Sequence, residues 1–142
     1  MNILLAIDGS SCSEIAVAEL ARRPWPVQSK VHVVTVDVAL DRSLLKSPGS
    51  AFDELVHQQR NEAYEHLQAA AAVLAKNESQ LQVSTALLEG VAKDAIITEA
   101  ERFGADLVVV GSHGYGPIRR YFLGSVSQFV ANNAPCSVLI VR

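Results

Sequence analysis

Charge is scarce in this sequence. Only 19% of the residues are charged against 49% hydrophobic, a balance that excludes a disordered chain. The net charge is -3 and the pI is near 5.8, so nothing here resembles a basic face for nucleic acid. No apolar run approaches the roughly 20 residues of a membrane span. No basic n-region or cleavage pattern precedes the first apolar run, and a cytoplasmic location is the expectation. There are two cysteines, Cys12 and Cys136. They stand far apart without metal-type spacing, and they read as buried thiols in a reducing compartment. Internal repeats and linkers are missing too. A chain of 142 residues then reads as a single domain over 1–142, long enough to bury a sizeable core.

What is present is an alternation of strands and helices. Ile3–Ile7 is apolar on both faces, as a central parallel strand should be. Ser11-x-x-Glu14 forms a capping box, followed by a stripe at Ile15, Ala18 and Ala21 that Pro24 and Pro26 end. Val31–Val36 is a second strand. Residues 39–50, with Pro48-Gly49, read as a loop. A long helix follows, with an apolar stripe through Phe52, Leu55, Val56, Ala63, Leu67, Ala70, Ala71 and Leu74. Its His57 and His66 do not share a metal-pair face and read as solvated. Leu81–Leu87 alternates and suits a half-exposed edge strand. Ala92–Phe103 is a third helix, stopped by Gly104. Leu107–Val110 is the fourth strand. Ser125-x-x-Gln128 is a second capping box, and its helix ends at the Asn133-Ala134-Pro135 break. Ser137–Val141 is the last strand.

Five strands alternating with four helices predict an α/β fold, with an open five-stranded parallel sheet and helices on both faces. Ligands bind such sheets at the C-terminal edge where the winding reverses. Two strand ends carry ligand-type loops, Asp8-Gly9-Ser10 and Gly111–Gly116. Setting strands one and four side by side joins those loops in one crevice and gives the order 3-2-1-4-5. A 2-1-3-4-5 order would put the reversal beside Glu89-Gly90, a bare connection. Strand five is then an edge that is apolar on both faces. Such an edge invites pairing with a second copy, so a homodimer through Ser137–Val141 is expected.

The loop after strand four carries the most chemistry. It reads Gly111-x2-Gly114-x9-Gly124-Ser125, a glycine-rich turn leading into a helix N-terminus, which is an arrangement that suits phosphate. It lacks the lysine of a Walker loop, and its glycines do not fall as in a dinucleotide fingerprint. With Ile-Asp-Gly-Ser at 7–10 and Ala-Asp-Leu-Val-Val-Val-Gly at 105–111, the pattern resembles the universal stress protein (UspA-like) family. It resembles the ATP-binding branch in particular, whose fold is Rossmann-like. The likeness runs from Ile3 to Val141.

The resemblance implies a nucleotide site. Asp8, with Gly9 and Ser10, would lie near the ribose or a phosphate-bound Mg²⁺. Val36 would hold adenine through the backbone. Val110, Gly111, Gly114, Gly124, Ser125 and Val126 would form the phosphate loop and helix start. Each has a plainer reading from the sequence alone: a helix-capping Asp, a core valine, glycines in tight turns. His113 stands where many relatives carry Arg or Lys. If it faces the phosphates, binding strengthens as pH falls through about 6.5. Arg119 and Arg120 either reach phosphate oxygens or are solvated. Tyr115, Tyr121 and Phe122 read as packing residues.

Turnover has few candidates. There is no P-loop lysine and no base to position water. The Ser10, Asp8 and His113 set has no nucleophile elbow. A phosphorelay would want an acidic pair after strand one, where Asp8 is followed by glycine. Two functions remain open. One is an ATP-binding regulatory, stress-response protein with little or slow hydrolysis, acting through an unknown protein partner. The other is a dimeric interaction module of the same fold that binds no nucleotide.

Overall fold

The computed structural model describes residues 1–37, 50–77, 81–113 and 123–142. Five strands and four helices alternate: β1 (Asn2–Ala6), α1 (Ser11–Arg22), β2 (Lys30–Asp37), α2 (Ser50–Leu74), β3 (Gln82–Glu89), α3 (Ala92–Phe103), β4 (Leu107–Gly111), α4 (Ser125–Asn133) and β5 (Ser137–Val141). The strands form one parallel sheet in the order β3-β2-β1-β4-β5. That is the order argued from the two ligand-type loops. The loop read at 39–50 falls, except for Ser50, outside the described residues.

Strand alternation sends successive side chains to opposite faces. Ile3, Leu5, Val31, Val33 and Val109 meet α1 and α2 through Ala16, Val17, Leu20, Leu67, Ala70 and Leu74. Leu4, Val34, Val108 and Val110 meet α3 and α4 through Ile96, Ala100 and Val130. The central strands are apolar on both sides for this reason. β3, at an edge, keeps its side chains half-buried or exposed, in line with its alternating sequence.

Local expectations shift in a few places. Ser10, not Ser11, caps α1, and its Oγ accepts from the Ser13 N–H at 3.3 Å. The buried face of α1 is Ser13, Ala16, Val17 and Leu20, a run at i, i+3, i+4 and i+7. Ile15 lies opposite that run and is 47% exposed. Gly104 ends α3 in the left-handed region, φ 63°, as expected of a C′ glycine. Both cysteines are free and half-buried rather than buried. Burial and the nearby Asp106 push the Cys136 thiol up.

One polar cluster ties β2 to α3. His32 is buried; its Nδ1 lies 2.8 Å from Ser84 Oγ and its Nε2 faces Glu99 Oε1 at 3.0 Å. Arg102 grips Glu99 with both Nε and an Nη, at 2.8 and 2.5 Å. Those charged hydrogen bonds hold the Glu99 carboxyl below the usual range, against the opposing effect of burial. A lowered folded pKa stabilises the fold above the ordinary glutamate value and loses that contribution as pH falls through the lowered one. Glu99→Gln is therefore expected to cost about 1 kcal/mol at pH 7 and to flatten the fall in thermal midpoint between pH 5 and 3. Melting curves across that range test it. An unchanged acid slope would contradict the role given to Glu99.

Candidate functional site

The C-terminal ends of β1, β2 and β4 open into a cavity of about 590 Å³, roofed on one side by α2 and closed on the other by the start of α4. Reversal of the winding between β1 and β4 leaves this crevice, because the crossovers from those two strands leave toward opposite faces. Asp8, Val36, Val110 and Gly111 line it from the strand ends. His113 lines it from the following loop, and Gly124, Ser125 and Val126 line it from the entry to α4. Gly9 and Ser10 stand just behind Asp8. Gly114 and Arg120, with Tyr115, Arg119, Tyr121 and Phe122, lie outside the described residues.

The N-terminal ends of α1, α3 (through Ala92) and α4 border this crevice, and the chain treats those of α1 and α4 differently. At α1 the Ser10 hydroxyl takes the Ser13 amide, as above, and donates to Asp8 Oδ1 at 2.5 Å. The Ser10 amide also donates to Asp8 Oδ1, at 3.0 Å. Gly9 makes this tight turn at φ 81°, a conformation that favours glycine. Local acceptors thus engage the entry to α1. At α4 the cap is Gly124, which has no side chain and makes no side-chain cap bond. Ser125 begins the helix rather than capping it, so the capping box expected with Gln128 does not form. First-turn amides of a helix have no partner within it. Here those of Ser125, Val126 and Ser127 belong to residues lining the cavity, where the helix dipole favours an anion.

Ser112 sets the geometry of this end, and sequence reasoning gave it no role. It is 2% exposed. Its carbonyl accepts from the Gly124 amide at 2.8 Å and from Ser127 Oγ at 3.0 Å. Its own amide donates to the Val141 carbonyl at 2.7 Å. The two ends of the 113–123 segment are thereby stitched together at the mouth of the cavity. Its hydroxyl meets His113 Nδ1 at 3.0 Å, so the imidazole is turned toward Ser112. Ser10 Oγ lies 3.4 Å from the backbone carbonyl of His113 and donates to Asp8, while His113 Nδ1 faces Ser112. That geometry does not assemble a Ser10-His113-Asp8 triad.

Gly111 serves packing as well as the site. A Cβ there would meet the Cys12 backbone carbon at 2.9 Å and its oxygen at 3.1 Å. Only a glycine lets α1 approach the end of β4 so closely. Gly124 is also tight, with a Cβ 3.3 Å from the Ser112 carbonyl oxygen.

The α2 wall was missed in the sequence. Gln59, Glu62, Ala63 and His66 line the cavity at i, i+3, i+4 and i+7. The same stripe continues into Leu67, Ala70 and Leu74 in the core. His66, read as solvated, is half-buried here, while His57 is exposed as expected. The signal was the polar turn of an otherwise apolar stripe. Arg60 fixes this wall: its Nε lies 3.0 Å from Asp37 Oδ2 at the end of β2, and an Nη pairs with Glu89 at the end of β3.

Asp8, Asp37 and Glu62 supply negative charge to the lining, and Arg60 offsets Asp37. Among the described residues no Lys or Arg lines the cavity. Attraction for an anion comes from the α4 amides. Asp8, exposed at the end of β1, would repel that anion unless a ligand hydroxyl or a cation stands between them. Among the described residues no group of three His, Cys, Asp or Glu could hold a metal ion on its own. Nor is any described helix long and apolar enough to cross a membrane.

A model of the universal stress protein family matches residues 1–142. Universal stress protein YxiE of Bacillus subtilis is 33% identical over 147 residues, covering 99% of this chain and 98% of that one. The structure of universal stress protein UspA from Lactobacillus plantarum matches with a TM-score of 0.79 at 24% identity, over 100% of this chain and 97% of that one. A universal stress protein solved in complex with cAMP matches with a TM-score of 0.66 at 25% identity, over 100% and 97%.

Proposed function

This chain belongs to the universal stress protein family, and from that membership we propose that it binds an adenine nucleotide in the crevice between β1 and α4 and serves as a nucleotide-dependent regulatory protein. The observation that carries the reading is the uncapped first turn of α4, held open toward a cavity that also presents Asp8. Phosphate would sit on the Ser125 and Val126 amides. Asp8 would take ribose hydroxyls, or a Mg²⁺ ion carried in on the phosphates. Val36 would meet the base through its backbone. Similar structures were solved with cAMP, with AMP in a protein from Arabidopsis thaliana, and with dAMP in one from Archaeoglobus fulgidus. Those ligands share adenine and at least one phosphate, which suits a site with one phosphate seat and a far end formed by Thr35, Val36 and Asp37 beside α2. ATP with Mg²⁺ would be the fuller form of the same ligand, its extra phosphates extending past the α4 terminus.

Calorimetric titration with AMP, and with ATP in the presence and absence of Mg²⁺, tests this. Saturable binding to one site per chain is expected, with Mg²⁺ strengthening ATP more than AMP. No heat and no shift in melting temperature with any adenine nucleotide would favour the interaction module that binds none. The half-buried outer strand β5 supports a two-fold pair through Ser137–Val141, and sedimentation at micromolar concentration should find the dimer.

A further inference from the structure

Strands β4, β1 and β2 lie side by side, so the cavity runs across two strand spacings, roughly 10 Å. The first turn of α4 is at one end and Asp8 is in the middle. Thr35, Val36 and Asp37 form the far end, where α2 packs over β2 and β3. A nucleotide with its phosphate on α4 would lay its sugar beside Asp8 and its base against β2 and α2. The α2 stripe changes character at this point. Leu67, Ala70 and Leu74 are buried in the core, whereas Gln59, Glu62 and His66 line the cavity around the small Ala63. Ala63 leaves room for a flat ring, and the polar groups stand at its rim. Asp37, the other carboxylate at this end, is engaged by Arg60. Glu62 Oε1 accepts from Gln58 Nε2 at 3.0 Å, which steadies the carboxylate and leaves Oε2 as an acceptor.

Resting on the nucleotide reading above, we propose that Glu62 is a specificity-determining residue that reads the amino group of the base. A carboxylate accepts from the exocyclic amine of adenine. A purine that lacks the amine leaves the carboxylate without that donor and binds more weakly.

AMP and purine riboside 5′-monophosphate differ in that one group alone and are the probes. Calorimetry with the wild-type chain, Glu62→Gln and Glu62→Ala reads the ratio of their affinities. The wild type should bind AMP at least roughly tenfold tighter than purine riboside 5′-monophosphate, and both variants should bring the ratio within about threefold. Glu62 is exposed, and neither change touches the core. Equal binding of the two nucleotides by the wild type, or a wild-type ratio kept in both variants, overturns the proposal. Absence of binding by either nucleotide to the wild type instead removes the nucleotide reading on which it stands.

Discussion

Gly111→Val should lower the thermal midpoint by roughly 6–12 °C, the consequence of about 3 kcal/mol of overpacking in a chain of this size. The steric cause is specific. The new Cβ would meet the Cys12 backbone carbon at 2.9 Å, and that atom belongs to the first turn of a helix that cannot give way as a side-chain tip can. Relief requires α1 to lift from β4. The α1 contacts that would loosen include Ala16, Val17 and Leu20, all in the core. Valine adds two further methyl groups to the same gap. Circular dichroism melts of the variant and the wild type decide the matter. A midpoint within 2 °C of the wild type would show that α1 and β4 are not packed as described.

Gly124→Val should show the opposite division of effects, with affinity for adenine nucleotides falling at least about 100-fold, or ~2.7 kcal/mol, and most of the stability retained. Its Cβ would stand 3.3 Å from the Ser112 carbonyl oxygen, a contact relieved by a shift of a few tenths of an ångström. The branched methyl groups would cover the first-turn amides of α4, where the phosphate is placed. Titration of the folded variant with AMP tests this, with a melting curve run in parallel. Wild-type affinity in the variant would exclude the α4 terminus as the anion seat.

The sheet was legible in the sequence because its signals are redundant. Runs such as Ile3–Leu5 and Val108–Val110 are apolar at every position, which only a strand buried on both faces demands. The ligand-type loops after β1 and β4 then fixed the strand order. Finer points depended on contacts that no local pattern contains. Ser10 and Ser11 are equally good caps by residue type. Ser10 wins because its hydroxyl donates a hydrogen bond to Asp8, which leaves an Oγ lone pair to accept from the Ser13 amide. Ser13 can be buried in place of Ile15 because its own hydroxyl returns to the Ser10 carbonyl at 2.8 Å. At α4 the expected serine cap fails because the Gly124 amide is drawn to Ser112, and the helix therefore starts one residue earlier than a serine cap requires. The α2 wall was hidden for a different reason. Periodicity marks which face of a helix turns inward, but not where along its length that face leaves the core and borders the cavity.

The role of the crevice is tested most directly by ¹⁵N–¹H NMR during addition of AMP. The account predicts that the amides of Ser125 and Val126 shift most and saturate together, with Asp8 and Val36 following at the same midpoint. Shifts confined to other parts of the surface, or no shift at saturating nucleotide, would contradict it.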